Sequence, residues 1–134
     1  MGRLNDTSIL IESERGRLDL EKFTENIADE DLFISVITVS ELLHGVHRAI
    51  DQSVKARREA SVEAMLQQFV ILNIDSVTAR MHSKIWADLE RSGEVIGQND
   101  FWLAATCLAE GLTMVTANRK HFERVPGLVV EVWQ

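Results

Sequence analysis

The feature that most restricts this chain is an alternation of short apolar runs with longer stretches of helical spacing. Leu32 to Thr38 (LFISVIT) and Phe69 to Ile74 (FVILNI) are brief and rich in β-branched residues, which suits strands of a sheet covered on both faces. Leu112 to Thr116 (LTMVT) and Leu128 to Val132 (LVVEV) have the same character. Between them the apolar residues change period. Val39, Leu42, Leu43 and Val46 form one helical stripe, and Val54, Val62, Met65, Leu66 and Phe69 another. Met81, Ile85 and Leu89 repeat at four-residue intervals, and Phe101, Ala104, Ala105 and Leu108 make a fourth stripe, with Gly111 where a left-handed helix end is expected. Strands alternating with helices predict an α/β fold with a parallel sheet and helices on its faces.

The first strand is the weak element of this pattern. Only Met1 to Asn5 precede Asp6, and Gly2, Arg3 and Asn5 are poor central-strand residues, so Leu4 would be its main apolar contribution. Nothing interrupts the remainder. The one proline is Pro126, the seven glycines are dispersed, and 134 residues suit a single domain over residues 1–134. Cys107 is the one cysteine, in an apolar stretch, and reads as a buried thiol compatible with a reducing compartment. No apolar run approaches the roughly 18 residues that span a bilayer, and no signal-peptide stretch opens the chain, so a cytoplasmic protein without a membrane role is expected. The net charge of −7 argues against nucleic-acid binding over the whole surface, though not against a nuclease whose own carboxylates carry the charge.

In open parallel sheets, function gathers beyond the carboxyl ends of the strands. Asp6, Glu41, Asp75, Asp100 and Asn118 all fall near such strand-to-helix connections, with Thr116 ending the fourth strand. Each has an ordinary explanation. Asp6 suits a helix N-cap, and Thr38-Val39-Ser40-Glu41 matches a capping box in which Glu41 reaches back to a backbone amide. Asp100 is a first-turn acid favoured by the helix dipole, and Asn118 suits a turn. Thr116 could hydrogen-bond a neighbouring carboxylate. Clustered, the acids would repel one another and their pKa values would rise, a tension that a divalent cation relieves. Oxygen donors of this kind suit Mg²⁺ or Mn²⁺, whereas one cysteine and scattered histidines give no zinc site.

Three motifs, in order, carry a resemblance. They are Asp6-Thr7-Ser8-Ile9-Leu10-Ile11 with Glu14-Arg15-Gly16, then Ser40-Glu41-Leu42-Leu43-His44-Gly45, then the stretch from Ile96 to Leu128, IGQNDFWLAATCLAEGLTMVTANRKHFERVPGL. With them the chain resembles the PIN-domain family over nearly its whole length, in particular the VapC-type toxins of bacterial toxin–antitoxin pairs. The resemblance implies a three-layer α/β/α sandwich around a mostly parallel five-stranded sheet, and an Mg²⁺- or Mn²⁺-dependent endoribonuclease. It implies Asp6, Glu41 and Asp100 as the metal-holding acids, and leaves Asp75 outside as a helix cap. Asn118 stands where many relatives have a fourth acid, which favours one tightly held cation over two. Implied partners are an RNA substrate, a VapB-like antitoxin that places a basic residue near the acids, and a second copy in a homodimer. The apolar residues from Val54 to Phe69 and Trp86 could serve these contacts, with core packing the default.

Other readings are open on the residues alone. Glu41-Leu42-Leu43-His44 has the Glu-x-x-His spacing of di-iron bundles, but no second copy occurs. His44 and His47 read as surface or packing residues, and His121 as a residue near the substrate entrance. Lys55, Arg57 and Arg58 form one basic group and Arg119, Lys120 and Arg124 another, either able to meet phosphates. A metabolic α/β enzyme lacks support because no Gly-rich phosphate loop follows the first strand. A non-catalytic PIN-fold module acting through a partner protein or DNA is the alternative to the ribonuclease.

Overall fold

A computed structural model describes residues 2–134. Five parallel strands form one sheet in the order β3-β2-β1-β4-β5. They are β1 (Arg3–Asn5), β2 (Leu32–Ser35), β3 (Val70–Leu72), β4 (Thr113–Thr116) and β5 (Val130–Val132). The helices between them are α1 (Thr7–Glu14), α2 (Leu20–Thr24), α3 (Val36–His47), α4 (Gln52–Leu66), α5 (Ser76–Ser92) and α6 (Gln98–Glu110). The chain runs outward from β1 to β2 and β3, then returns to the other side of β1 for β4 and β5. The order reverses beside β1, so the carboxyl ends of β1 and β4 bound the crevice where open sheets place their sites.

The alternation within each strand divides the core in two. Ile34 and Val115 face a cluster with Ile9, Leu10, Leu42, Val46, Val62 and Leu66, from α1, α3 and α4. Leu4 and Met114 face the other, with Ile85, Leu89, Leu103, Ala104, Ala105 and Cys107 from α5 and α6. Helices thus cover both faces, and the three-layer sandwich is present. Cys107 is buried, and burial pushes its thiol pKa well up, which keeps it in the unreactive protonated form. No helix among the described residues is long and apolar enough to cross a membrane.

The strand with the poorest composition is the central one. Leu4 is fully buried, and Arg3, Leu4 and Asn5 pair with Thr113, Met114 and Val115 while Arg3 and Leu4 also pair with Leu32 and Phe33. Gly2 is a fitting residue there rather than a defect. A Cβ on it would lie 2.7 Å from Leu112 Cδ2 and 2.8 Å from Phe33 Cε2, so the close approach of these side chains needs the missing carbon. Met1 lies outside the described residues. The later strands are shorter than their apolar runs. β2 stops at Ser35, whose side chain accepts from the Ile37 amide and caps α3, so Thr38 belongs to the helix. β3 is an edge strand, and Val70 and Ile71 are exposed rather than covered on both faces. At the end of α6, Gly111 takes the expected left-handed conformation with φ 68° and turns the chain into β4.

His82 joins α5 to α6. Its ring stacks on Phe101 at 3.9 Å and on Trp102 at 3.8 Å between centroids, both nearly parallel. Two rings at that separation cannot share one face of an imidazole, so they flank it. Burial lowers the His82 pKa, and the neutral ring suits this apolar slot at the start of α6.

Leu4→Ala should destabilise the protein by about 3 kcal/mol in urea unfolding, through lost burial and the cavity left in the central strand. Asn5 is fully buried with both side-chain amide atoms unpartnered among the described residues. Asn5→Val should therefore raise stability by about 1–2 kcal/mol, read in the same unfolding curves, because it removes a desolvated amide from a strand position.

Candidate active site

Asp6 follows β1 directly, and its backbone amide continues the ladder by donating to the Val115 carbonyl at 2.8 Å. It holds the N-cap position of α1 without making a side-chain cap bond. The carboxylate is engaged elsewhere. Its Oδ2 accepts from Ser8 Oγ at 2.7 Å and from Thr116 Oγ1 at 2.9 Å, and the residue is 3% exposed. Burial raises its pKa most, Glu41 adds repulsion, and the two hydroxyls oppose the rise. Thr116 therefore does what its position at the end of β4 suggested. Its oxygen also accepts from the Asn118 amide at 3.0 Å, while the Ala117 amide donates to Ser8 Oγ at 3.1 Å. The start of α1 and the end of β4 are tied together around one carboxylate.

Glu41 is not part of a capping box. Because α3 begins at Val36, Glu41 lies in its second turn, beyond reach of a free helix amide. Its Oε1 accepts from Thr7 Oγ1 at 2.7 Å, and Thr7 Oγ1 lies 2.9 Å from Thr38 Oγ1. With Thr7 donating to the carboxylate, Thr38 must donate to Thr7. A relay of two buried hydroxyls thus aims Glu41 across the carboxyl end of the sheet. Thr7 and Ser8 were missed as site residues from sequence, although both sit in the motif that contains Asp6.

Asp100 is in the first turn of α6, a helix that begins at Gln98, three residues before Phe101. Its pKa is pushed up from 3.8 to about 6, first by burial and then by the charges of Asp6 and Glu41. His121 works against this: its Nδ1 lies 3.1 Å from Asp100 Oδ2. The other imidazole nitrogen lies 2.9 Å from Asn118 Nδ2. An amide nitrogen donates, so Nε2 accepts and the ring proton rests on Nδ1, directed at Asp100. Asn118 thus orients His121, which contacts Asp100 directly while its half-exposed side chain also lines an open groove beside the site. Asp75 caps α5 by accepting from the Thr78 amide at 3.0 Å, and that bond lowers its pKa.

Asp6, Glu41 and Asp100, 94 residues apart at the extremes of the numbering, therefore share one electrostatic field. The donor set is all oxygen, of the hardness that suits Mg²⁺ or Mn²⁺, and its repulsion is what a cation would relieve. The arrangement is open. Among the described residues no group of three or more acidic, histidine or cysteine side chains is placed as it stands to hold a metal ion. Of the two basic groups marked in the sequence, Arg58 pairs with Glu14 and Arg124 with Glu94.

Residues 4–128 match the PIN domain model. The chain belongs to the PIN-domain family. Within it, the chain is 32% identical over 130 residues to the ribonuclease VapC1 of Rickettsia felis, covering 97% of this chain and 95% of that relative. It is 32% identical over 108 residues to the tRNA(fMet)-specific endonuclease VapC of Salmonella typhimurium, covering 81% and 80%. In three dimensions this PIN domain is similar to a chain of the DNA-bound VapBC crystal structure from Salmonella typhimurium, with a TM-score of 0.91, 28% identity and coverage of 100% and 99%. The family's fold is the three-layer arrangement described above.

The raised Asp100 pKa has a direct consequence for stability. The folded protein holds this proton more tightly than the unfolded chain, so between pH 3.8 and about 6 the contribution of Asp100 to stability falls as pH rises. Above that window the full penalty is present. In metal-free buffer, Asp100→Asn should be more stable than the parent at pH 7 by about 1 kcal/mol after allowance for partial exposure, and the gap should close toward pH 4. Thermal melts of both proteins across pH check it, and a gap independent of pH would contradict the assignment.

Proposed function

We propose that this chain is a divalent-metal-dependent endoribonuclease, the toxin of a VapBC-type toxin–antitoxin pair. The observation that carries the proposal is the convergence of Asp6, Glu41 and Asp100 at the crevice between β1 and β4, where each of Asp6 and Glu41 raises the pKa of Asp100 and the one imidazole in contact, His121, hydrogen-bonds Asp100. The ribonuclease and endonuclease names of the VapC relatives point the same way.

In this reading Asp6, Asp100 and Glu41 hold one Mg²⁺ or Mn²⁺. When bound, the cation supplies positive charge to the phosphodiester and lowers the pKa of water. The chain's own groups do the positioning. Ser8 and Thr116 fix one oxygen of Asp6, the Thr38–Thr7 relay fixes one of Glu41, and His121 fixes one of Asp100. Rotamer freedom is thereby removed before RNA arrives, so less is lost on reaching the reactive geometry. Asn118 keeps the His121 ring in the tautomer that donates to Asp100, and adds no fourth charge. One cation rather than two fits that neutral side chain.

A VapB-like antitoxin is the protein partner that the similar solved VapBC structures support, and a second copy of the chain is a further partner of this reading. An antitoxin side chain with positive charge would match the clustered acids. A single-domain protein acting in the cytoplasm is consistent with the composition. The non-catalytic alternative would leave three buried or half-buried acids in costly proximity for no purpose.

Asp6→Asn and Asp100→Asn should each lower Mg²⁺-dependent cleavage of RNA by about 100-fold or more with the fold intact by circular dichroism, and chelator should silence the parent. Full activity in either folded variant, or cleavage that persists in chelator, would sink the proposal.

A further inference from the structure

Between the carboxyl ends of α1 and α3 lies a groove of about 520 Å³, and Glu41 forms part of its wall. It therefore shares one residue with the acid site. The remaining charge is mostly positive: Arg15, Arg48 and Arg58 line it, with Glu14 the other carboxylate. Arg58 is already engaged, its Nε 3.3 Å from Glu14 Oε1 and its Nη1 donating to the Gly45 carbonyl at 3.3 Å. That pairing neutralises Glu14 and stiffens the wall. Arg15 and Arg48 are exposed, and among the described residues neither has a carboxylate within ion-pairing distance. Two free guanidinium groups on one groove stand out in a chain of net charge −7.

Both arginines are C-cap residues, of α1 and of α3. A cation at a helix C-terminus is favoured by the dipole, which accounts for each arginine separately. It does not account for two helix ends opening on the same groove, nor for that groove reaching Glu41. A second groove, of about 440 Å³, is lined by Ser8, Asn118 and His121, the residues that hold Asp6 and Asp100. Each groove thus borders a residue of the acid site, Glu41 in the first and the Asp6 and Asp100 partners Ser8 and His121 in the second.

We propose that the Arg15–Arg48 groove binds the RNA backbone flanking the cleaved bond, each guanidinium taking one phosphate away from the metal-holding acids. The proposal rests on the RNA-cleaving reading above and adds where the strand is held. Arginine suits the task because its planar fork meets two phosphate oxygens at once and stays charged at any working pH. Such contacts carry no base information, so the groove contributes affinity and register rather than sequence choice. It also answers a difficulty of composition: a protein of this net charge needs local cations to hold a polyanion beside three carboxylates.

The test uses Arg15→Gln, Arg48→Gln, the double variant and, as a control on α5, Arg91→Gln, which is paired with Asp88. Binding of a fluorescein-labelled single-stranded RNA of mixed sequence is followed by anisotropy across a salt series, with Asp100→Asn in every chain to prevent cleavage. The double variant should bind about tenfold more weakly, and its salt slope should shrink by about 0.7 for each lost phosphate contact. Cleavage of bulk tRNA by the same substitutions in the active chain should show KM raised with kcat retained. An RNA-cleaving protein whose double variant keeps its affinity, slope and KM would overturn the groove and leave the nuclease reading standing. A chain that binds RNA through these arginines but never cleaves it would do the reverse. Loss of binding in Arg91→Gln to the same degree would also overturn the proposal, since the effect would then be general charge.

Discussion

Three residues, Arg3 to Asn5, hold the sheet together. β1 hydrogen-bonds to β2 on one side and β4 on the other, and Asp6 continues the second ladder by one more bond. Because the chain crosses from one half of the sheet to the other around this strand, the crevice beyond its carboxyl end is where two sets of connections part. Asp6 stands at that point by covalent necessity. Its nearest neighbours, Ser8 on α1 and Thr116 on β4, belong to the two elements that meet there. The site is therefore a product of the topology and not of any one loop.

What the fold brings together, it also strains electrostatically. Burial raises the pKa of Asp6 and Asp100, and each of the three acids adds to the repulsion. Neutral hydroxyls restrain Asp6 and Glu41 in direction but add no charge, and one imidazole contacts Asp100. The cation proposed above would relieve this repulsion, since hydroxyl donors fix carboxylate orientation without removing its charge. The arginines at the ends of α1 and α3 line a groove that also holds Glu41, which is the basis of the proposed backbone contact.

Much of the architecture was legible as period. Strands two to five and the stripes of α3, α4, α5 and α6 lie where the apolar residues place them, because burial on a sheet face and on a helix face imposes different spacings. The ends were less legible. LFISVIT reads as one strand, yet Ser35 interrupts it with a cap and starts α3 three residues before Thr38. The capping box at Thr38 was a false match for the same reason: the motif describes local chemistry, and the helix had already begun. β1 was underrated because strand propensity counts side chains, whereas Gly2 serves by having none where Leu112 and Phe33 come close.

Apolar period alone points to a parallel α/β fold, and the chain's motifs place Asp6, Glu41, Asp100, Thr116 and Asn118 near strand ends. Apolar spacing is a local property, and short motifs survive as strings. Which of those residues touch one another is visible in the folded chain alone. The fold turned Glu41 from a cap into a carboxylate aimed by Thr7, and bound Asn118 to His121 and His121 to Asp100. It also set Arg15 and Arg48, which no periodicity connects, on one groove beside Glu41. Contacts between residues tens of positions apart depend on how strands are ordered and helices packed, and that order is not written in any single stretch of the chain.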